Sequence, residues 1–100
     1  MMDYTIKDLP EEERPREKLE NHGASDLTSS ELLSILLRTG TSGKNVRELA
    51  SEILGSYSLD EMASRSMEDF KEFKGVSRVK AGQLKALGEL ARRMKRTEGE

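Results

Sequence analysis

The stretch Lys74-Gly75-Val76-Ser77-Arg78-Val79-Lys80 gathers groups that recognise an oxyanion. Gly75 can take positive φ and reverse the chain without a Cβ clash. Val76 can then turn inward and pin the reversal, and a helix can open after it. The N–H groups of Val76 to Val79 would stand at that helix N-terminus, where unpaired donors and the helix dipole favour a phosphate. Lys74, Arg78 and Lys80 surround the spot with positive charge. Ser77 pulls the other way, because its hydroxyl is a good N-cap and competes for the same donors. A second loop, Thr39-Gly40-Thr41-Ser42-Gly43-Lys44, offers Gly40, Thr41, Gly43 and Lys44 for similar chemistry. It is not a nucleotide-binding P-loop, since no strand precedes it and the G-x-x-x-x-G-K-[ST] spacing fails.

Hydrolytic chemistry has no such foothold. A catalytic metal needs about three side-chain ligands, and the chain holds one His and no Cys. The lack of a second base also removes nucleophilic triads, and the lack of Cys removes disulfides and thiol nucleophiles. His22, beside Gly23, reads as a helix-end residue facing C-terminal carbonyls. Glu11-Glu12-Glu13 reads as a solvated charge run. The expectation is a non-enzyme with no catalytic residue, no metal site and no cofactor of its own.

The elements that must position the two loops read as helices. Arg14-Pro15-Arg16-Glu17 places Pro in a first turn and Gly23 follows as a stop. Thr28-Ser29-Ser30-Glu31 is a capping box opening a helix through Leu32, Leu33, Ile35, Leu36 and Leu37. Five apolar residues in six positions predict a central buried helix that ends at Thr39-Gly40. A helix from about Lys44 carries Val46, Leu49, Ala50, Ile53 and Leu54 and stops at Gly55. Ser58-Leu59-Asp60-Glu61 is another capping box, and Ser66-Met67-Glu68-Asp69 starts a further short helix with Phe70 and Phe73 inward. The longest periodic segment, Arg78 to Arg96, has a predicted seam of Val79 or the Lys80 stem, Leu84, Leu87, Ala91 and Met94. Its Gly82 and Gly88 suggest close approach of a neighbour. Aligning Gly40 with Gly75 sets Val46 on Ala81 and Leu49 on Leu84, an internal echo of one hairpin in the other. No segment alternates with period two, so the fold class is all-α.

Composition agrees with a small aliphatic domain. Of 100 residues, 34% are apolar and 36% charged, with 2 Phe, 2 Tyr and no Trp, against typical charged shares of about 25%. The longest apolar run, residues 32–37, is far below the roughly 20 residues of a membrane span. The N-terminus lacks the basic flank and apolar core of a secretory signal, so a cytoplasmic protein without membrane contact is expected. The net charge of −2 conceals an asymmetry. Residues 1–70 hold 8 Lys and Arg against 15 Asp and Glu, whereas residues 71–96 hold 9 against 2. The basic third could face a polyanion.

Phe70 to Leu84 resembles a helix-hairpin-helix motif, with Gly75-Val76-Ser77 as the hairpin, Ala81 as the small packing residue and Leu84 as the apolar anchor. Ser77 stands where the motif has its second Gly. The paired hairpins are similar to the tandem helix-hairpin-helix arrangement of the RuvA C-terminal type. Over the whole chain, Ile6-Lys7-Asp8-Leu9-Pro10, Arg14-Pro15-Arg16-Glu17-Lys18-Leu19, His22-Gly23-Ala24, Glu31-Leu32-Leu33, Leu36-Leu37-Arg38-Thr39-Gly40-Thr41 and Phe73-Lys74-Gly75-Val76 resemble the N-terminal domain of the bacterial DNA repair RadC (UPF0758) family. That resemblance implies a domain over residues 1–96, with a partly irregular arm at 1–13. Residues 97–100 would begin a linker to an absent C-terminal MPN/JAB domain carrying a zinc-type site of two His, an Asp and a catalytic Glu. It implies DNA as partner, contacted through the phosphate backbone without sequence specificity, with branched DNA among the candidates. The DNA-contacting set is Lys74, Gly75, Val76, Ser77, Arg78, Lys80, Gly40, Thr41, Gly43 and Lys44. Two alternatives stand beside it: a module docking on the MPN/JAB domain or another repair factor, and a regulatory cap on that domain's metal site.

Overall fold

A computed structural model describes residues 14–41 and 43–99, with side chains given as far as Arg96. The expected arm at 1–13, with its Ile6 to Pro10 segment and glutamate run, and Ser42 lie outside the described residues. Among those described the fold is all-α. The helices are α1 (Pro15–His22), α2 (Ser29–Leu37), α3 (Val46–Ser56), α4 (Leu59–Met62), α5 (Met67–Lys71) and α6 (Arg78–Gly99), with a 3-10 turn at Ala24–Asp26. The chain divides into two compact units, the first ending at Leu54 and the second beginning at Gly55.

In the first unit, Pro15 occupies the opening turn of α1, and Gly23 ends the helix at φ +86°, its N–H donating to Leu19 O at 2.9 Å. The predicted capping box opens α2. Thr28 Oγ1 accepts from the Glu31 N–H at 3.1 Å, and Glu31 Oε1 accepts from the Thr28 N–H at 2.9 Å. Glu31 is 4% exposed and also accepts from Lys18 Nζ at 3.2 Å, which ties α1 to α2. Ser34, buried as well, donates from Oγ to Glu31 O at 2.6 Å.

These polar partners overturn the expected all-round burial of α2. Leu33 and Leu37 are buried with Glu31 and Ser34, while Leu32 is 37% and Leu36 52% exposed. Burying a polar side chain is tolerable once it is hydrogen-bonded. With Glu31 and Ser34 satisfied on the inner face, the helix turns Leu32 and Leu36, on the opposite arc, outward. α3 buries Val46, Leu49, Ala50 and Ile53 as its spacing predicts, but it runs through Gly55 to end at Ser56.

In the second unit, Ser58 with Glu61 and Ser66 with Asp69 form reciprocal capping boxes on α4 and α5. Phe70 is fully buried, and Tyr57 meets Phe70 and Phe73 edge-on at centroid distances of 6.1 and 5.9 Å. The Arg65 guanidinium lies 4.9 Å from the Tyr57 ring centre. The buried seam of α6 is Ala81, Leu84 and Gly88: Leu84 is buried as predicted and the Lys80 stem and Leu87 are half-buried, whereas Val79, Ala91 and Met94 are exposed. Gly88 sets that rotation. A Cβ there would stand 2.8 Å from Ala63 Cα, so α4 packs backbone to backbone on α6 at this point. Gly82, by contrast, has only Met67 Cε nearby, at 3.9 Å. The helix also continues three residues past its expected end at Arg96.

Candidate nucleic-acid interface

The turn between α5 and α6 is built by local hydrogen bonds. Phe73 N–H donates to Phe70 O at 3.2 Å, and Val76 N–H to Phe73 O at 3.0 Å. Gly75 sits third in that turn with φ +97°, which a side chain would strain. Val76, 6% exposed, points into the core as expected. Ser77 Oγ accepts the Lys80 N–H at 3.3 Å, and the first regular bond of α6 runs from Ala81 N–H to Ser77 O at 2.8 Å.

The donor set is therefore narrower than the sequence suggests. The Val76 N–H is consumed by the turn and the Lys80 N–H by the Ser77 cap. The Arg78 and Val79 N–H groups precede the first helical bond and so have no intrahelical acceptor, on two residues that are themselves exposed. Lys74 and Arg78 are exposed and form no ion pair among the described residues. Lys80 is half-buried, and burial lowers its ammonium pKa below the usual lysine value.

Further along α6 the basic surplus is largely spent. Glu89 is forked by Arg92 at 2.6 Å and Arg93 at 2.9 Å, and these two guanidinium groups hold its carboxyl down at about 2. Lys95 reaches Asp60 at 3.4 Å, and Lys85 donates to Ala63 O at 3.4 Å. The open positive charge of the second unit concentrates at Lys74 and Arg78.

The first loop is organised differently. Thr41 and Lys44 exchange both backbone bonds, at 2.9 and 3.0 Å, around Gly43 at φ +83°. Their N–H groups face each other and are spent. A Cβ on Gly40 would collide with Lys44 O and lie 2.6 Å from Asn45 C, so this glycine is there for close approach. The Lys44 ammonium pairs with Glu52 on α3. Asn45, absent from the sequence reading, caps α3 by accepting the Glu48 N–H at Oδ1, 2.9 Å away. The Asn-x-x-Glu spacing of Asn45 and Glu48 is the signal that finds it. Arg38 was also missed: it holds φ +71°, with the Thr39 N–H on Leu37 O at 2.8 Å.

The internal echo holds for the helices and shifts in the loops. Val46 and Ala81, Leu49 and Leu84, and Ile53 and Gly88 are buried pairs at the aligned spacing. The positive-φ glycine two residues before each cap, however, is Gly43 ahead of Asn45 and Gly75 ahead of Ser77. Gly40 is thus not the counterpart of Gly75. Relative to its buried face, α6 starts three residues earlier than α3, and those three are Arg78, Val79 and Lys80. Arg78 and Val79 are exposed and Lys80 half-buried, ahead of the packed seam that begins at Ala81.

Among the described residues no three His, Asp or Glu side chains gather as a metal would require, and no helix is long and apolar enough to cross a membrane. The UPF0758 N-terminal family model matches residues 6–82. A UPF0758 protein of Clostridium botulinum strain Alaska E43 is 47% identical over 91 residues, which covers 90% of this chain and 40% of that protein. Its counterpart in strain Eklund 17B is 46% identical with the same coverage. The one in strain Hall is 44% identical over 93 residues, 92% of this chain and 41% of that protein. The chain thus spans about 40% of the length of these curated relatives. No solved structure matches it.

Proposed function

Because the chain belongs to the UPF0758 family through its N-terminal domain, we propose that it is a non-catalytic, cytoplasmic DNA-binding module of a RadC-type protein. In this reading it uses no cofactor, and zinc chemistry resides in the remaining part of the longer family chains. The observation that carries the reading is the exposed first turn of α6. There the first-turn N–H groups of Arg78 and Val79, which have no intrahelical acceptor, are flanked by the exposed Lys74 and Arg78 side chains, unpaired among the described residues. A backbone phosphate accepts from the two N–H groups along the helix dipole while the cations neutralise it. Gly75 and Val76 shape the turn, and Ser77 sets the helix start. Nothing here reads base edges, so recognition is independent of sequence. Lys44, held by Glu52, and Gly40, Thr41 and Gly43 play a structural part in their own loop.

Fluorescence anisotropy with a labelled duplex and a four-way junction, across a salt series, tests this. With about two phosphates neutralised, log K falls against log salt with a slope near −2, roughly tenfold between 50 and 200 mM. Lys74→Glu with Arg78→Glu abolishes binding and leaves helicity intact. Ser77→Gly frees the Lys80 N–H and holds or raises affinity. Binding unchanged by the double reversal, or absent at low salt, refutes the reading.

A further inference from the structure

The outer side of α6 is not the polar surface of a one-faced helix. Val79, Gln83, Ala86, Leu90 and Met94 succeed one another at spacings of three and four, opposite the buried Ala81, Leu84 and Gly88. Val79 is 71%, Leu90 58% and Met94 69% exposed. No charged residue stands among these five positions. A solvated helix face normally carries charges there, and aligned exposed apolar residues mark a contact surface.

The occupant is set by which part of the chain the stripe belongs to. The family's N-terminal model ends at Gly82, within α6, so Leu90 and Met94 lie beyond it. Similarity to the longer relatives covers at least 90% of the 100 residues and therefore reaches residue 90 or further. Those relatives extend well past the matched 40% of their length. The second half of α6 is thus shared with longer chains but lies beyond the segment that the family model matches. We propose that the Leu90 and Met94 end of this stripe is the seat of the portion of the longer UPF0758 chains that lies beyond the N-terminal domain. The seated surface is an apolar patch rimmed by carboxylates. Residues 78–99 hold seven Lys and Arg against Glu89 and Glu98. Although Glu89 and Asp60 draw on Arg92, Arg93 and Lys95, the helix keeps a net positive charge that such a rim would meet. The same surplus opposes a second copy, because pairing two such helices would set cation against cation.

The test compares this chain alone with a full-length chimera in which it replaces the matched segment of the Alaska E43 relative. Hydrogen exchange at residues 87–94 is expected to be at least tenfold slower in the chimera. Leu90→Lys with Met94→Lys, both at exposed positions, is expected to restore the faster rate while circular dichroism of the isolated chain stays unchanged. Equal exchange rates in the two proteins overturn the proposal. Two further results also overturn it: a dimer of the isolated chain that Leu90→Lys dissolves in sedimentation equilibrium, or Leu90-dependent binding to phosphatidylglycerol vesicles. A monomer that ignores the vesicles supports it. DNA affinity is read separately at Lys74 and Arg78, so failure here leaves that reading untouched.

Discussion

Replacing each of the two central glycines of α6 by alanine should move stability in opposite directions. Gly88→Ala puts a Cβ 2.8 Å from Ala63 Cα and 3.0 Å from both Ala63 N and Met62 O. Carbon contacts settle at about 3.5–4.0 Å, so α4 must retreat by roughly 0.7 Å or more. The opposing atoms are backbone and cannot swing aside as a side chain would. Overpacking of this kind costs about 1–3 kcal/mol, against about 1 kcal/mol gained from alanine's helix propensity. The net expectation is a loss of up to about 2 kcal/mol, with Met62 exposed as α4 lifts. Gly82→Ala meets only the flexible tip of Met67 at 3.9 Å and so keeps most of the propensity gain. Both variants change the unfolded chain equally, so their difference of about 1–3 kcal/mol reports packing alone. Thermal melts followed at 222 nm should separate them by roughly 4–20 °C for a domain of this size. A Gly88→Ala protein melting at or above the parent, or two variants moving together, would refute the backbone-contact argument.

Leu37→Ala should cost about 2–5 kcal/mol, since Leu37 is 3% exposed. Leu36→Ala, at a half-exposed position, should cost under about 1 kcal/mol, and urea unfolding of the pair checks this. Glu31 offers a test by pH. The Thr28 N–H first, and the Lys18 ammonium after it, hold its carboxyl below the ordinary glutamate value against the opposing effect of burial. A depressed folded pKa means the stabilisation is full above the unfolded glutamate pKa and disappears as pH falls through the lower folded value. Glu31→Gln should therefore flatten the acid limb of stability measured by urea titration between about pH 2 and 7. An acid limb identical to the parent's would show that Glu31 contributes nothing there.

The features legible in the sequence are those that neighbouring residues decide among themselves. The boxes at Thr28 and Glu31, Ser58 and Glu61, and Ser66 and Asp69 each close over three residues, and all are present. The positive φ of Gly75 and the cap at Ser77 are likewise set by the local sequence. The outward turn of Leu36 is not, because it depends on Glu31 finding Lys18 thirteen residues away. The α6 seam escaped for a similar reason. Hydrophobicity ranks Met94 and Ala91 above Gly88, whereas the backbone contact at Ala63 makes glycine the residue that belongs inside. In the candidate site, charges were visible but their partners were not. Lys44 and Lys74 look alike in sequence, and only the packing of the 41–44 turn against α3 puts Glu52 within reach of one of them.

α6 runs unbroken from the hairpin turn to Gly99, and an unbroken helix is an angular ruler as well as a linear one. From Arg78 to Leu90 it advances about 18 Å and turns through three revolutions and about a third of another. Anything joined beyond Leu90 inherits that phase. Inserting one alanine after Arg96 would add only about 1.5 Å of reach but rotate the next segment by about 100°, whereas inserting four would return it to within about 40° of its original bearing. For any segment joined rigidly to the end of α6, the number of residues after the hairpin would therefore set its bearing more strongly than its distance. Insertions there should be tolerated in steps of three or four rather than one at a time.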